Sequence, residues 1–211
     1  TLPFRRKRSS PLWTLPKRRT NNGVAELSVY LHIPFCERKC PYCAFISYAR
    51  GNGAKELYLG RLADELAFWR SKLGGISART LYIGGGTPSC LSLSQWETLS
   101  EIIEKNIDLS ACTEFTVEAN PNSLTKALLS FWKSAGVSRV SLGVQSLDDE
   151  ELQFLGRLHD SKRALEAVEN AVEAGFSVNA DFMFGLPGQT LSKWKSTLET
   201  AVKLGLSHVS L

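Results

Sequence analysis

The 211-residue sequence lacks the features that mark membrane proteins and disulfide-rich secreted domains. It has no apolar run near the ~18 residues that suggest a transmembrane helix. Its five cysteines are too few and too unevenly spaced for a disulfide framework, which favours a reducing compartment. Hydrophobic residues at 43% and charged residues at 22% are close to the usual globular balance, which excludes a disordered or fibrous chain. We therefore expect one large domain or two small ones, without a transmembrane segment.

Acidic residues are absent from the first 22 positions, which hold seven of the basic ones. The rest of the chain is slightly acidic and gives no reason to expect a nucleic-acid partner. An Arg-rich, acid-free start resembles a transit-peptide remnant, although an arm for RNA or anionic lipid, or a solvated tail, also fits. Residues 1–23 are thus predicted to be a separate basic segment. If it is a transit peptide, the protein belongs in a chloroplast or mitochondrion; otherwise we expect it in the cytoplasm. Because the chain starts with Thr, we also expect N-terminal sequence to be missing or processed.

From residue 24 onward, short β-rich runs alternate with longer segments of helical periodicity. In the first run, Leu31 and Ile33 would share an apolar face opposite Tyr30 and His32. The predicted strands are 27–33, 80–83, 114–119, 139–144, 177–184 and 208–211. The first and last helices are marked by apolar residues at helical spacing, Leu59, Leu62, Leu66 and Trp69 in one and Leu191, Trp194, Leu198 and Val202 in the other.

Six strands alternating with helices predict an α/β domain over residues 24–211 with a parallel sheet. A doubly wound sheet and a barrel both satisfy this pattern. The unusual residues follow most of the strands rather than one switch point, which favours a barrel whose loops build a site around one mouth. The chain stops at the sixth strand without a covering helix. We therefore predict an incomplete (β/α)6 TIM-like barrel, truncated after the sixth strand of a longer protein.

Three cysteines follow the first strand at the spacing C-x3-C-x2-C: Cys36, Cys40 and Cys43. Soft thiolate ligands suit zinc and iron–sulfur clusters. A structural zinc site needs four ligands, whereas three cysteines suit a [4Fe–4S] cluster with one open iron. Buried or disulfide-bonded cysteines are the alternative. The isolated Cys90 and Cys112 are predicted to be small buried side chains.

Further polar or glycine-rich motifs follow the later strands. A glycine run at a strand end lets a ligand approach the backbone closely, although a plain tight turn has the same composition. Each polar residue could also be a satisfied side chain or a helix cap. Together they would give one mouth both charge signs and hydrogen-bonding groups, as a zwitterionic nucleoside requires. The motifs are GGGTP at 84–88, Glu118 in EANP, Gln145 in GVQS, Arg157 in LGRLH and Asp181 in DFMFGLPG.

These stretches resemble the radical S-adenosylmethionine (SAM) superfamily, and in particular the oxygen-independent coproporphyrinogen III oxidase-like proteins and their heme-chaperone (HemW) branch. The resemblance covers residues 27–211 and is carried by YLHIPFCERKCPYCAF, YIGGGTPS, EANP, GVQS, LGRLH and DFMFGLPGQT. It implies that Cys36, Cys40 and Cys43 hold a [4Fe–4S] cluster whose fourth iron is chelated by SAM. It implies that this cluster donates an electron that cleaves SAM to a 5′-deoxyadenosyl radical. It also implies SAM contacts from Tyr30, Tyr42, Gly86, Thr87, Glu118, Gln145, Arg157 and Asp181.

One position separates the branches of this family. The oxidases carry a further cysteine two residues after the third, where this chain has Phe45, as the heme-chaperone branch does. The resemblance thus implies a full-length protein that binds heme and delivers it to a recipient hemoprotein. One alternative is an oxidase that converts two propionates of coproporphyrinogen to vinyl groups. A third interpretation is an open barrel that keeps the cysteine loop without holding a cluster. The sequence identifies neither the recipient nor the electron donor.

Overall fold

The computed structural model describes residues 24–49 and 51–211, so the predicted basic segment 1–23 lies outside the described residues. Strands and helices alternate along the chain with one short extra helix. The strands are β1 (Ala25–Ile33), β2 (Ile76–Gly85), β3 (Glu114–Ala119), β4 (Arg139–Gln145), β5 (Ser177–Phe182) and β6 (His208–Ser210). The helices are α1 (Asn52–Leu73), α2 (Leu93–Asn106), α3 (Lys126–Ser134), α4 (Asp149–Phe154), α5 (Ser161–Glu173) and α6 (Leu191–Lys203), with a 3-10 turn at Pro88–Cys90.

The six strands form one parallel sheet in the order β1-β2-β3-β4-β5-β6. Each new strand is added beside the previous one, so the sheet never reverses its winding direction. A doubly wound sheet would show such a reversal, and the predicted barrel-type architecture is confirmed. Within the described residues β1 and β6 are the two edges of the sheet, as in an incomplete barrel.

The alternation of side chains gives the sheet two different faces. The outer face is apolar and is covered by helices; Val117 and Val140 on this face are fully buried. The inner face carries polar side chains, including Tyr82, Glu118 and Asn179. The hydrophobic core therefore lies between sheet and helices, and the lumen side is left for a polar site.

Helices α2 to α6 each begin after a Ser, Thr or Asp whose side chain accepts a hydrogen bond from one of the first free N–H groups. The Ser92 and Gln95 side chains form a reciprocal capping box at α2, and the Thr190 hydroxyl accepts from the Lys193 amide at α6. No helix in the described ranges is long and apolar enough to cross a membrane.

Several predicted boundaries and faces are corrected by the structure. Strand β2 begins at Ile76 rather than 80, because Ile76 already pairs with the start of β1. Strand β5 ends at Phe182 rather than 184, because its partner β4 ends at Gln145. The sequence pattern also missed the short helix α4.

In two helices, some of the apolar residues that were predicted to form the buried face are exposed. Trp69 is 42% exposed, because the buried stripe of α1 continues from Leu66 to Leu73 instead. At α6, Leu191 and Val202 are exposed, whereas the buried positions are Thr197 and Ala201.

Candidate radical SAM site

The carboxyl ends of the strands surround a cavity of about 480 Å³ that opens at the mouth of the incomplete barrel. This volume lies within the range that accommodates a nucleoside-sized ligand, roughly 300–1,000 Å³. The structure brings ten of the eleven predicted site residues to its wall: Cys36, Cys40, Cys43, Tyr42, Gly86, Thr87, Glu118, Gln145, Arg157 and Asp181.

Tyr30 is the predicted residue that does not line this cavity. It lies on β1 beside the cavity, 54% exposed, with its ring stacked on Tyr82 at 5.8 Å between centroids. Its hydroxyl is 3.0 Å from His32 Nδ1. Its assignment as a SAM contact stays a prediction.

The cysteine loop follows β1, and backbone hydrogen bonds between Tyr48 and residues 34–36 close its base, here called the neck. The Tyr48 amide donates to the Pro34 carbonyl at 2.8 Å, and the Cys36 amide donates to the Tyr48 carbonyl at 3.1 Å. Inside the loop, the Cys43 amide donates to the Cys40 carbonyl at 3.1 Å and forms a turn. The neck fixes both ends of the segment while the thiols face the cavity.

The three cysteines fit the donor set of a cluster. They are free thiols, half-buried, on one cavity wall. In the described chain, no group of three or more His, Cys, Asp or Glu residues converges tightly enough for a single metal ion. A cubane cluster has a different requirement, because each thiolate binds a separate iron corner. The Thr87 hydroxyl lies 3.5 Å from Cys36 Sγ and can donate to that sulfur, a type of outer contact that orients a metal ligand.

At each glycine of the triple-glycine turn a different group leaves no space for a Cβ atom: Glu118 at Gly84, the His32 ring at Gly85 and the Phe35 backbone at Gly86. A Cβ on Gly84 would lie 2.7 Å from the Glu118 carboxyl carbon, and one on Gly86 would lie 2.5 Å from the Phe35 carbonyl oxygen. Gly85 adopts φ +119°, which disfavours any side chain. The Gly86 amide then donates to the Ile33 carbonyl at 2.9 Å. The glycine turn is thus packed against the base of the cysteine loop. The sequence had left open a plain tight turn, which would not need these contacts.

Glu118 presents its carboxylate to the cavity from the end of β3. The Tyr82 hydroxyl donates to Oε1 at 2.7 Å, and the Gly85 amide donates to Oε2 at 2.9 Å. Burial, followed by the Glu118 charge, raises the pKa of Tyr82, so the phenol keeps its proton and remains a donor. Each carboxylate oxygen retains lone-pair capacity for a cationic ligand group.

Gln145 and Arg157 close the side of the mouth formed by β4 and the loop after α4. Gln145 has φ +70°, a conformation that costs a non-glycine residue roughly 1 kcal/mol or more, at the point where the β4–β5 register shifts. Its amide crosses Gly143, where an added Cβ would lie 3.0 Å from Nε2. Arg157 Nη1 lies 3.6 Å from Cys40 Sγ and 3.3 Å from the Tyr42 hydroxyl.

His159 lies behind this side of the mouth and contacts β4 and the residue that follows β3. It is buried, with Nε2 3.1 Å from the Val144 carbonyl and Nδ1 3.2 Å from Asn120 Oδ1. Burial, followed by the nearby Arg157 charge, lowers the pKa of His159 to about 4. The imidazole is therefore neutral at physiological pH and adds no second positive charge beside Arg157.

The lumen below the mouth contains polar residues that were absent from the sequence-based assignment. Asn179 donates to Ser141 and to Asp181, both at 2.8 Å, while the Arg139 guanidinium lies 3.9 Å from Glu114. The signal that would have found them is their alternation: each shares the inner face with a predicted residue on the same or a neighbouring strand.

Cys90 and Cys112 are half-buried and packed against the hydrophobic core. The Cys90 thiol lies 3.4 Å from the Phe35 carbonyl, and burial raises its pKa to about 11. A protonated thiol is a poor metal ligand. Both cysteines thus pack against the core, but they are half-buried rather than buried as predicted.

The cysteine loop, the glycine turn and Glu118 all lie within the part of the chain that matches a protein-family model. The family model described as the radical SAM superfamily matches residues 30–201, and the chain belongs to this superfamily. The superfamily implies a [4Fe–4S] cluster and SAM as cofactors.

Within the superfamily, the chain is similar to proteins named heme chaperone HemW. It is 41% identical over 186 residues to the protein of Bacillus subtilis, covering 87% of this chain and 49% of the relative. The Escherichia coli protein is 39% identical over 186 residues, with the same two coverages. The chain therefore spans about half the length of these curated relatives. The predicted likeness to the HemW branch is confirmed.

Solved structures agree with this grouping. Coproporphyrinogen III oxidase (HemN) from Escherichia coli superposes with a TM-score of 0.79 at 30% identity, covering 87% of this chain and 43% of that chain. The radical SAM methyltransferase TsrM from Kitasatospora setae, at 14% identity and a TM-score of 0.61 over 86% of this chain and 33% of that chain, shares the fold alone.

Proposed function

We propose that this chain is the radical SAM portion of a heme chaperone, which holds a [4Fe–4S] cluster and SAM and, as a full-length protein, binds heme and delivers it to a hemoprotein. The observation that carries this assignment is Phe45. It lies two residues after the third cysteine, at the cavity wall, where the oxidases have a thiol. The similarity to proteins named heme chaperones supports the same conclusion.

Phe45 gives the cavity rim an apolar character. Its side chain is 73% exposed, and its carbonyl accepts from Lys39 Nζ at 3.1 Å. A phenyl ring offers neither a thiol for redox chemistry nor a hydrogen bond to a substrate. This position therefore favours binding of an apolar macrocycle over its chemical conversion.

The cavity residues would divide the work of cofactor binding. Cys36, Cys40 and Cys43 would ligate the cluster, which when bound to SAM supplies the one-electron reductive chemistry of the superfamily. Glu118, held by Tyr82 and Gly85, would accept hydrogen bonds from a cationic group of SAM. These protein groups fix the ligand, and the glycine turn lets the backbone approach it.

The second candidate is an oxygen-independent coproporphyrinogen III oxidase. The superposition on HemN at a TM-score of 0.79 favours it, since the barrel and its mouth share that architecture. The two functions differ in outcome: the chaperone retains and transfers heme, whereas the oxidase decarboxylates a porphyrinogen.

The basic composition of residues 1–22 supports an organelle as the compartment of this protein. A fluorescent fusion of the full-length protein that stays in the cytosol would contradict this part of the proposal.

The test of the cluster uses the full-length protein, reconstituted anaerobically with iron and sulfide. We expect about four iron atoms per chain, as for a [4Fe–4S] cluster with thiolate ligands. Substituting Cys36, Cys40 and Cys43 together by Ala should abolish iron binding and the brown absorbance. Cys90→Ala and Cys112→Ala are the matched controls and should leave both unchanged. Iron retained by the triple variant would overturn the assignment of the cluster ligands.

The test of the function is a paired assay on one cluster-loaded preparation. Heme titration followed by absorbance should saturate, and incubation of coproporphyrinogen III with SAM and reductant should yield no protoporphyrinogen. Turnover of coproporphyrinogen would replace the chaperone assignment with the oxidase.

A further inference from the structure

Arg157 brings its guanidinium to the sulfur of one of the three loop cysteines. Nη1 lies 3.6 Å from Cys40 Sγ, while Nη2 donates to the Gly143 carbonyl at 2.6 Å. The Nε atom is buried and has no hydrogen-bond partner within the described ranges. The group is thus held through Nη2 and directs Nη1 at a thiol and at the Tyr42 hydroxyl.

The backbone around Arg157 explains why the guanidinium stays at this place. Helix α4 ends in a Schellman motif, in which the Gly156 amide donates to the Gln153 carbonyl and the Arg157 amide donates to the Leu152 carbonyl, both at 2.9 Å. Gly156 has φ +65°, and a Cβ there would lie 2.9 Å from Pro41 Cδ. The end of α4 is therefore packed directly against the cysteine loop.

A second contact ties the same two segments together. The Arg38 guanidinium, in the cysteine loop, donates to the Gly156 carbonyl. Arg38 and Lys39 are both exposed, and each donates its hydrogen bond to a backbone carbonyl. Arg157 differs from both, because its side chain is half-buried and reaches a sulfur atom.

We propose that Arg157 raises the reduction potential of the cluster by placing a positive charge and an N–H···S hydrogen bond beside the Cys40 thiolate. This inference rests on the proposed function, since it requires the cluster on Cys36, Cys40 and Cys43. One-electron reduction from [4Fe–4S]2+ to [4Fe–4S]+ adds negative charge to the cluster and its thiolates. A fixed cation and a hydrogen bond to sulfur stabilise the reduced form more than the oxidised form. Partial burial limits the screening of this charge by solvent.

The experiment is an anaerobic redox titration of the full-length, cluster-loaded protein, with dithionite as the electron source and the reduced cluster followed by electron paramagnetic resonance. SAM is left out, so that a change in SAM contacts does not enter the measurement. We expect the midpoint potential to be highest in the wild type, lower in Arg157→Lys and lowest in Arg157→Gln. Lysine retains the charge without the fixed fork, whereas glutamine removes the charge.

Arg163→Gln is the matched control. Arg163 lies on α5, donates to the Leu124 carbonyl and pairs with Glu166 at 3.7 Å, so its substitution removes the same charge away from the cysteine loop. This variant should keep the wild-type potential.

Iron and sulfide are quantified in every variant, which separates the possible outcomes. Equal potentials in wild type and Arg157→Gln, at equal iron content, would overturn the inference and leave the proposed function intact. Loss of iron from both Arg157 variants would assign this residue to cluster assembly instead of tuning. A wild-type protein that holds no cluster would contradict the proposed function itself.

Discussion

The two faces of the six strands differ in chemistry although they alternate along the same residues. On the outer face, Val117 and Val140 are excluded from solvent and pack in the core under the helices. On the inner face, Glu118 and Tyr82 meet in a hydrogen bond at the cavity wall. Each strand therefore stabilises the protein with the positions of one face and builds the site with the positions of the other. Substitutions should therefore separate stability from ligand binding.

Replacing a core residue under the outer face of the sheet should change the protein most, through its free energy of unfolding. Trp132 is fully buried in α3, with its ring 5.1 Å from that of Trp96 in an edge-to-face arrangement. Trp132→Ala should lower the free energy of unfolding by about 3–5 kcal/mol, because it leaves a large cavity. Urea denaturation of the full-length apo protein measures this change.

Trp132→Phe is the matched control and should cost less, since it keeps an aromatic ring and removes an indole N–H that has no partner in the described structure. SAM affinity of the folded fraction should be unchanged in both variants. A parallel loss of SAM affinity would break the separation between the two faces.

The next effect is a pH dependence behind the mouth. The pKa of His159 falls from 6.5 to about 4 on folding, so between these values the unfolded chain binds a proton that the folded chain does not. Stability should therefore decrease as the pH is lowered through this window, by about 3 kcal/mol in total. Denaturation curves of the apo protein at pH 7, 5.5 and 4.5 measure this slope.

His159→Gln removes the titrating group and should flatten the profile in that window. The carboxylates Asp108, Asp148 and Asp149 have lowered pKa values and titrate below it. A slope that persists unchanged in His159→Gln would show that another group is responsible.

The smallest of these effects concerns SAM binding at the inner face. Tyr82→Phe removes the hydroxyl that donates to Glu118 but keeps the ring that stacks on Tyr30. The lost bond positions Glu118 and does not itself contact SAM, so we expect the effect of a typical net hydrogen bond, about 3- to 10-fold weaker SAM binding. Equilibrium dialysis with labelled SAM on the cluster-loaded protein measures this change.

Glu118→Gln is the comparison variant and should weaken SAM binding more, because it removes the charge as well. The free energy of unfolding of Tyr82→Phe should stay near the wild-type value. A stable Tyr82→Phe protein with wild-type SAM affinity would show that Tyr82 does not position Glu118.

At the site, the cysteine loop could be predicted from the sequence, whereas the contact between Arg157 and this loop could not. The spacing of Cys36, Cys40 and Cys43 identified a candidate cluster loop, because ligands within eight residues need little help from the rest of the fold. Arg157 was assigned as a SAM contact by resemblance, yet its distance to Cys40 was invisible in sequence. That contact joins residues 117 positions apart and depends on where α4 ends against Pro41.

The alternation of strands and helices, the cysteine loop and the glycine turn could be predicted from the sequence, since these features depend on local periodicity, spacing and backbone freedom. The strand order of the sheet, the exposure of Leu191 and Val202, and the partners of Glu118 follow from the three-dimensional packing instead. The packing also explains why position 84 requires a glycine. The Glu118 carboxylate, 34 residues away in sequence, fills the space that a Cβ atom would occupy. Such contacts arise from packing between distant segments, and local sequence patterns carry no record of them.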